Sequence, residues 1–154
     1  MSVAPERPAA RTLDADRAAA LAGRLHRGQR DGTGALLIDH VARVAAAVPA
    51  DACVAAWLHE AFEYTPMSEE ELLAEGVSSD ELRALRLLTR DRTSRSATRY
   101  LGHIRLIADA VGPGADIARQ VKRADLVDRA AHPTGAGGGW SPPYALGLEI
   151  LRRD

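Results

Sequence analysis

Apolar residues at 37, 38, 41, 44, 45 and 48 recur at the three- and four-residue spacing of a helix buried on one side. They predict a helix over 36–48, ended by Pro49. The same periodicity runs along most of the chain. It places a first helix over 13–29, with Ala18, Leu21, Ala22 and Leu25 on one face, and then a turn at Asp31-Gly32-Thr33-Gly34. A third helix is expected over 51–64, capped by Asp51. Ser68-Glu69-Glu70-Glu71 reads as a capping box opening a short helix that stops at Gly76, and Ser79 or Ser78 caps another to about 89. Further helices are expected over 97–111, over 115–131 after the break at Gly112-Pro113-Gly114, and in a last segment carrying Tyr144, Leu148 and Leu151. Residues 90–96 read as a mobile polar loop and 133–143 as a glycine- and proline-rich one. The 135–139 run lacks the Lys-Ser/Thr ending of a phosphate-binding loop and reads as flexible. Strand-like alternation is absent. Eight short helices predict an all-α fold, a single-domain orthogonal bundle over 12–154 behind a loose arm over 1–11.

Composition narrows the partners. A chain of 154 residues is long enough for one real core. Its net charge of −1, with both signs interspersed, gives no electrostatic footprint for nucleic acid. No apolar run approaches the roughly 20 residues that span a bilayer, so no membrane partner is expected. Residues 1–11 lack the apolar stretch of a signal peptide, and Cys53 is the sole cysteine. A reducing, cytoplasmic setting is the expectation. Oligomeric state is not legible.

Chemistry enters at three places. The stretch 52–58 has no polar side chain in any direction, so that segment is expected to be buried. His59, Glu60 and Glu63 follow it, off the main apolar face formed by Val54, Trp57, Leu58, Ala61 and Phe62, and are expected to face an internal cavity. His59 and Glu63, four apart, share a side. In the 115–131 helix, Asp125 and Asp128 fall on the inner stripe of Ile117, Val121 and Ala124. A buried carboxylate needs a partner. Lys122 and Arg129 flank the pair, so an internal ion pair competes with metal ligation. Ligation is the stronger reading for Asp125, pairing for Asp128. His40 borders the apolar stripe of its helix. With His59, Glu60 and Asp125 it completes a set of two imidazoles and two carboxylates that suits Mn, Fe, Co or Zn better than Ca or Mg. One such ion would lower the pKa of bound water and polarise a phosphoryl oxygen. His26 and Gln29 share a face, with surface polarity and a pocket role equally open. His103 and His132 read as structural or exposed.

From His26 to Arg129 these residues fall into a known order. His26-Arg27-Gly28-Gln29-Arg30, Asp39-His40-Val41, Trp57-Leu58-His59-Glu60-Ala61-Phe62-Glu63-Tyr64-Thr65, Leu88-Thr89-Arg90 and Val121-Lys122-Arg123-Ala124-Asp125 together resemble the HD-domain metal-dependent phosphohydrolases. Within that superfamily the chain looks most like the guanosine tetraphosphate hydrolases of the RelA/SpoT type and their small single-domain relatives. The resemblance implies an HD-type helical domain and a divalent ion, Mn favoured, held by His40, His59, Glu60 and Asp125. It implies a catalytic or water-positioning role for Glu63. It further implies a small-molecule phosphate substrate, with Arg30 stacking on a base and Lys122, Thr89 and Arg90 lining the pocket; Tyr64 and Arg129 adjoin the same site.

The departures bear on activity. Glu60 stands where the family has aspartate, moving the carboxylate by about one bond length, a displacement that can cost about 100-fold in rate. Tyr64 replaces a second carboxylate, Arg129 an asparagine, and residues 35–37 a proline-tyrosine; Arg30 is one residue out of register. Two readings therefore stand: a metal-dependent phosphohydrolase acting on a nucleotide or small phosphate ester, or a degenerate domain that binds a nucleotide or a protein partner without turnover.

Overall fold

Helix runs through nearly every segment for which apolar periodicity predicts it. The computed structural model describes residues 11–90, 95–133 and 141–152. Among these are nine α-helices: α1 (Ala15–Leu25), α2 (Leu37–Ala46), α3 (Cys53–Leu58), α4 (Ala61–Tyr64), α5 (Glu69–Glu75), α6 (Ser79–Leu88), α7 (Ala97–Asp109), α8 (Ala115–Ala131) and α9 (Tyr144–Arg152). A single 3-10 turn, Ala50–Ala52, precedes α3. The only strand-like pairing among the described residues is an isolated bridge between Arg30 and Leu36. The fold is all-α, and most of its buried apolar residues form one cluster. No described helix is long and apolar enough to cross a membrane. The arm expected over 1–11 lies, except for residue 11, outside the described residues, as do 91–94 of the polar loop and 134–140 of the glycine-rich one.

Local chemistry sets the helix ends. Asp14 caps α1 by accepting from the Arg17 N–H. That helix ends at Leu25, short of the expected 29, because His26 leaves helical dihedrals and Gly28 takes φ 75, a conformation costly for any residue with a Cβ. At the next boundary the cap is Ser78, which forms a full reciprocal box with Glu81. Ser68 accepts from Glu71 to open α5, and Gly76 closes it in the left-handed region.

The expected 51–64 helix is not one rod. It comes in three pieces, the 3-10 turn, α3 and α4, with His59 and Glu60 at the joint between the last two. Asp51 caps none of them by its side chain. One side-chain bond lies at the joint and a second closes the far end of α4. The His59 ring donates from Nδ1 to the Ala56 carbonyl at 2.6 Å, and the Thr65 hydroxyl donates to the Ala61 carbonyl at 2.6 Å. Periodicity cannot see such a break, since apolar positions keep their spacing across it.

α8 runs through the middle, packed against α2, α3, α6, α7 and α9. Leu58, Ile104, Ile107 and Leu126 are fully buried, each contributing about 1.5–3 kcal/mol. The close seat of α9 depends on Gly147, where a Cβ would lie 2.6 Å from Ile104 Cδ1 and 3.1 Å from Leu126 Cδ1. That apolar frame also buries His40, His59, Glu60, Lys122, Asp125 and Asp128.

Candidate metal centre

Three segments meet at one point. α2 supplies His40, the α3–α4 joint supplies His59 and Glu60, and α8 supplies Asp125. One ligand atom from each lies within 4.8 Å of all the others, and all four residues are buried. His40 Nε2 is 3.0 Å from Asp125 Oδ1 and 3.6 Å from Glu60 Oε1. His59 Nε2 is 3.2 Å from Glu60 Oε1 and 3.5 Å from Asp125 Oδ1. Despite these approaches, neither Nε2 makes a hydrogen bond. The two rings meet edge to face, centroids 5.4 Å apart.

The opposite ring nitrogens fix the tautomers. A carbonyl only accepts, so His59 Nδ1 carries its proton toward Ala56. His40 Nδ1 lies 2.6 Å from Asp128 Oδ2, and its N–H donates to that ionised carboxylate. With Nδ1 engaged behind, each Nε2 faces the cluster, and it offers a lone pair once its own proton is displaced. A histidine ligand held from behind by a carboxylate or carbonyl is the usual support for a metal site. Asp128 is pinned in turn by Arg43, whose Nε and Nη2 donate at 2.7 and 3.1 Å. Asp128 is thus an ion-pair residue, as expected, but its cation is Arg43 on α2 rather than Lys122 or Arg129.

Charge in this small volume is balanced without a divalent ion. Lys122 Nζ donates to Asp125 Oδ2 at 3.1 Å. Arg129 donates from Nε to Asp125 Oδ1 at 3.0 Å and from Nη2 to Glu60 Oε1 at 2.7 Å. Burial alone would raise the Asp125 and Glu60 pKa values. The cations override it: Lys122 and Arg129 hold Asp125, and Arg129 and His59 hold Glu60, well below the usual carboxylate range. Burial works against a charged His59, but Glu60 and Asp125 push its pKa up to about 10. His40 is raised likewise, its burial outweighed by Asp125 and Glu60. Glu63 moves the other way from its neighbours: burial, and then the charge on Glu60, raise it.

A cavity of about 140 Å³ opens on the cluster, walled by His59, Glu60, Glu63, Tyr64, Lys122 and Asp125 among others. Arg90 also lines it; its backbone N–H donates to Glu63 Oε1 at 3.0 Å and its guanidinium sits 5.1 Å from the Tyr100 ring centre. His40 lies instead on a second cavity of about 450 Å³ with Gln29, Arg30, Asp31 and Leu37. Tyr64 and Arg129 line both. Arg30 belongs to the second cavity alone, where its guanidinium donates to the Gly34 carbonyl at 2.6 Å. Thr89 lines neither; its hydroxyl donates back to Leu85.

Several contributors escape a reading of the sequence. Tyr100 and Tyr144 wall the first cavity, yet an aromatic on an apolar stripe looks like core. Arg43 carries one usable signal, its place one turn after His40 on the same helix. His26 and Gln29 do act inside: the His26 ring meets Gln29 Oε1 at 2.9 Å, and Gln29 Nε2 donates to the Tyr64 carbonyl at 2.9 Å, bracing the end of α4. His103 is structural, placed 2.8 Å from the Leu87 carbonyl, and His132 is exposed beside Asp128.

No protein-family model matches the chain, and no curated protein matches it.

Proposed function

We propose that this chain is a metal-dependent phosphohydrolase of the HD-domain type, acting on a nucleotide or other small phosphate ester. The observation that carries the reading is the pair of buried imidazole Nε2 atoms, both without hydrogen bonds, converging on the oxygens of Glu60 and Asp125. Two buried ring nitrogens without hydrogen bonds, set against carboxylate oxygens, are ready to ligate a cation that displaces their protons. A mixed imidazole–carboxylate set favours Mn, Fe, Co or Zn. When bound, such an ion supplies a lowered pKa for water and polarisation of a phosphoryl oxygen.

The remaining work falls to the chain itself. Glu63, on the cavity wall with its pKa raised by burial and the Glu60 charge, is placed to act as the proton acceptor. Lys122 and Arg90 line the same cavity and hold phosphate oxygens. A divalent ion on the carboxylates, with Lys122 and Arg90 on the cavity wall, would favour an anionic ligand. The second cavity, with Arg30 and Gln29, has room for the nucleoside part.

A second reading, ligand binding without turnover, draws on one observation: Arg129 already occupies both carboxylates. Phosphate release from a nucleotide panel that includes guanosine tetraphosphate, with Mn-loaded protein, separates the two. Hydrolysis abolished in both His59→Ala and Asp125→Ala supports the enzyme. Thermal stabilisation by a nucleotide with no product formed supports the binder.

A further inference from the structure

The oxygens that face the two imidazoles are the same two oxygens that Arg129 holds. Glu60 Oε1 is 3.2 Å from His59 Nε2, 3.6 Å from His40 Nε2 and 2.7 Å from Arg129 Nη2. Asp125 Oδ1 is 3.0 Å from His40 Nε2, 3.5 Å from His59 Nε2 and 3.0 Å from Arg129 Nε. A guanidinium bridging both carboxylates supplies positive charge where a cation shared by the four ligands would supply it. Two cations drawing on the same oxygens in a buried setting repel each other strongly.

We infer that Arg129 is an internal cation competing with the metal, and that a divalent ion loads fully only when this guanidinium leaves Glu60 and Asp125. The inference rests on the metal site proposed above. The side chain has somewhere to go. Arg129 and Tyr64 line both cavities, and the larger one carries the Asp31 carboxylate. Departure of the guanidinium toward Asp31 leaves Tyr64 as the remaining shared wall between the cluster's two cavities. Arg129 sets metal affinity; it is a positioning residue, not a catalytic one.

The test is calorimetric titration of MnCl2 alone into chelator-stripped wild type, Arg129→Gln and Arg129→Lys, with melting curves for each at zero and saturating Mn. Competition of this kind is expected to be worth on the order of 10- to 100-fold in affinity. Arg129→Gln should bind Mn tighter by that factor, and Arg129→Lys should fall between. Metal-free Arg129→Gln should melt below metal-free wild type and gain more on adding Mn. Should Arg129→Gln be unfolded without metal, recovery of its helical circular dichroism with Mn supports the inference, and no recovery overturns it. Equal Mn affinity in wild type and Arg129→Gln overturns this inference and leaves the proposed hydrolase untouched. Absence of Mn binding in all three proteins overturns both.

Discussion

Two helix–helix junctions in this molecule follow opposite rules. Between α5 and α6 the chain is governed by local chemistry: Ser68 and Ser78 cap, Gly76 terminates, and an exposed Arg86–Glu69 pair decorates the surface. Between α3 and α4 the chain buries His59 and Glu60 at a break, with no capping side chain at either helix start. The first junction spends nothing on buried charge. The second surrounds two carboxylates with two imidazoles, a lysine and an arginine, and leaves two nitrogens unsatisfied. Fold stability alone gives no reason to keep the second arrangement, since burying ions is at best neutral against apolar packing. Departure from local rules combined with buried charge is what a functional site would leave behind, and the proposed metal site lies here.

The contrast can be broken from either side. The largest effect is expected at the buried junction. Asp125→Ala removes the shared partner of Lys122 and Arg129 and should cost about 3–5 kcal/mol in urea unfolding of metal-free protein. A loss below about 1 kcal/mol would mean that the cluster is hydrated and not a buried network.

His103 gives the next largest effect and a pH signature. Its pKa is lowered to about 4 by burial and by the Lys122 charge, against an ordinary value of 6.5. The unfolded chain therefore binds this proton more readily, and stability falls as pH drops from about 6.5 toward 4. The contribution is about 2 kcal/mol once partial exposure is discounted. His103→Gln should flatten the melting temperature against pH in that window relative to wild type, and parallel curves would remove His103 from the account.

At the rule-abiding junction effects shrink. Ser78→Ala breaks the reciprocal box and should cost about 1 kcal/mol. Glu69→Ala should leave the melting temperature unchanged, because the Arg86 pair is solvent-exposed. A larger loss at Glu69 than at Asp125 would invert the comparison and defeat it.

The same contrast explains how much was legible in the sequence. Helix existence, the stop at Gly76 and a serine cap at 78 or 79 follow from periodicity and local hydrogen bonding, which short windows contain; α2 ends at Ala46, before the expected stop at Pro49. Burial of His59, Glu60 and Asp125 was also legible, from an all-apolar run at 52–58 and from acids on an inner stripe. The break at His59 was not, because it is made by a ring-to-carbonyl bond that periodicity does not encode. The Arg43–Asp128–His40 relay joins residues some 85 positions apart, and only the packing of α2 on α8 creates it. Arg129 was legible as a cation near the site; that it spans both carboxylates depends on the backbone path of the α3–α4 joint.

The proposed metal site brings His40, His59, Glu60 and Asp125 together on one divalent ion. Titration of Mn into chelator-stripped protein, with His59→Ala and Asp125→Asn in parallel, tests it most directly. One Mn per wild-type chain is expected, with loss of that binding in both variants. No saturable Mn binding in wild type, or binding that both variants retain, would contradict it.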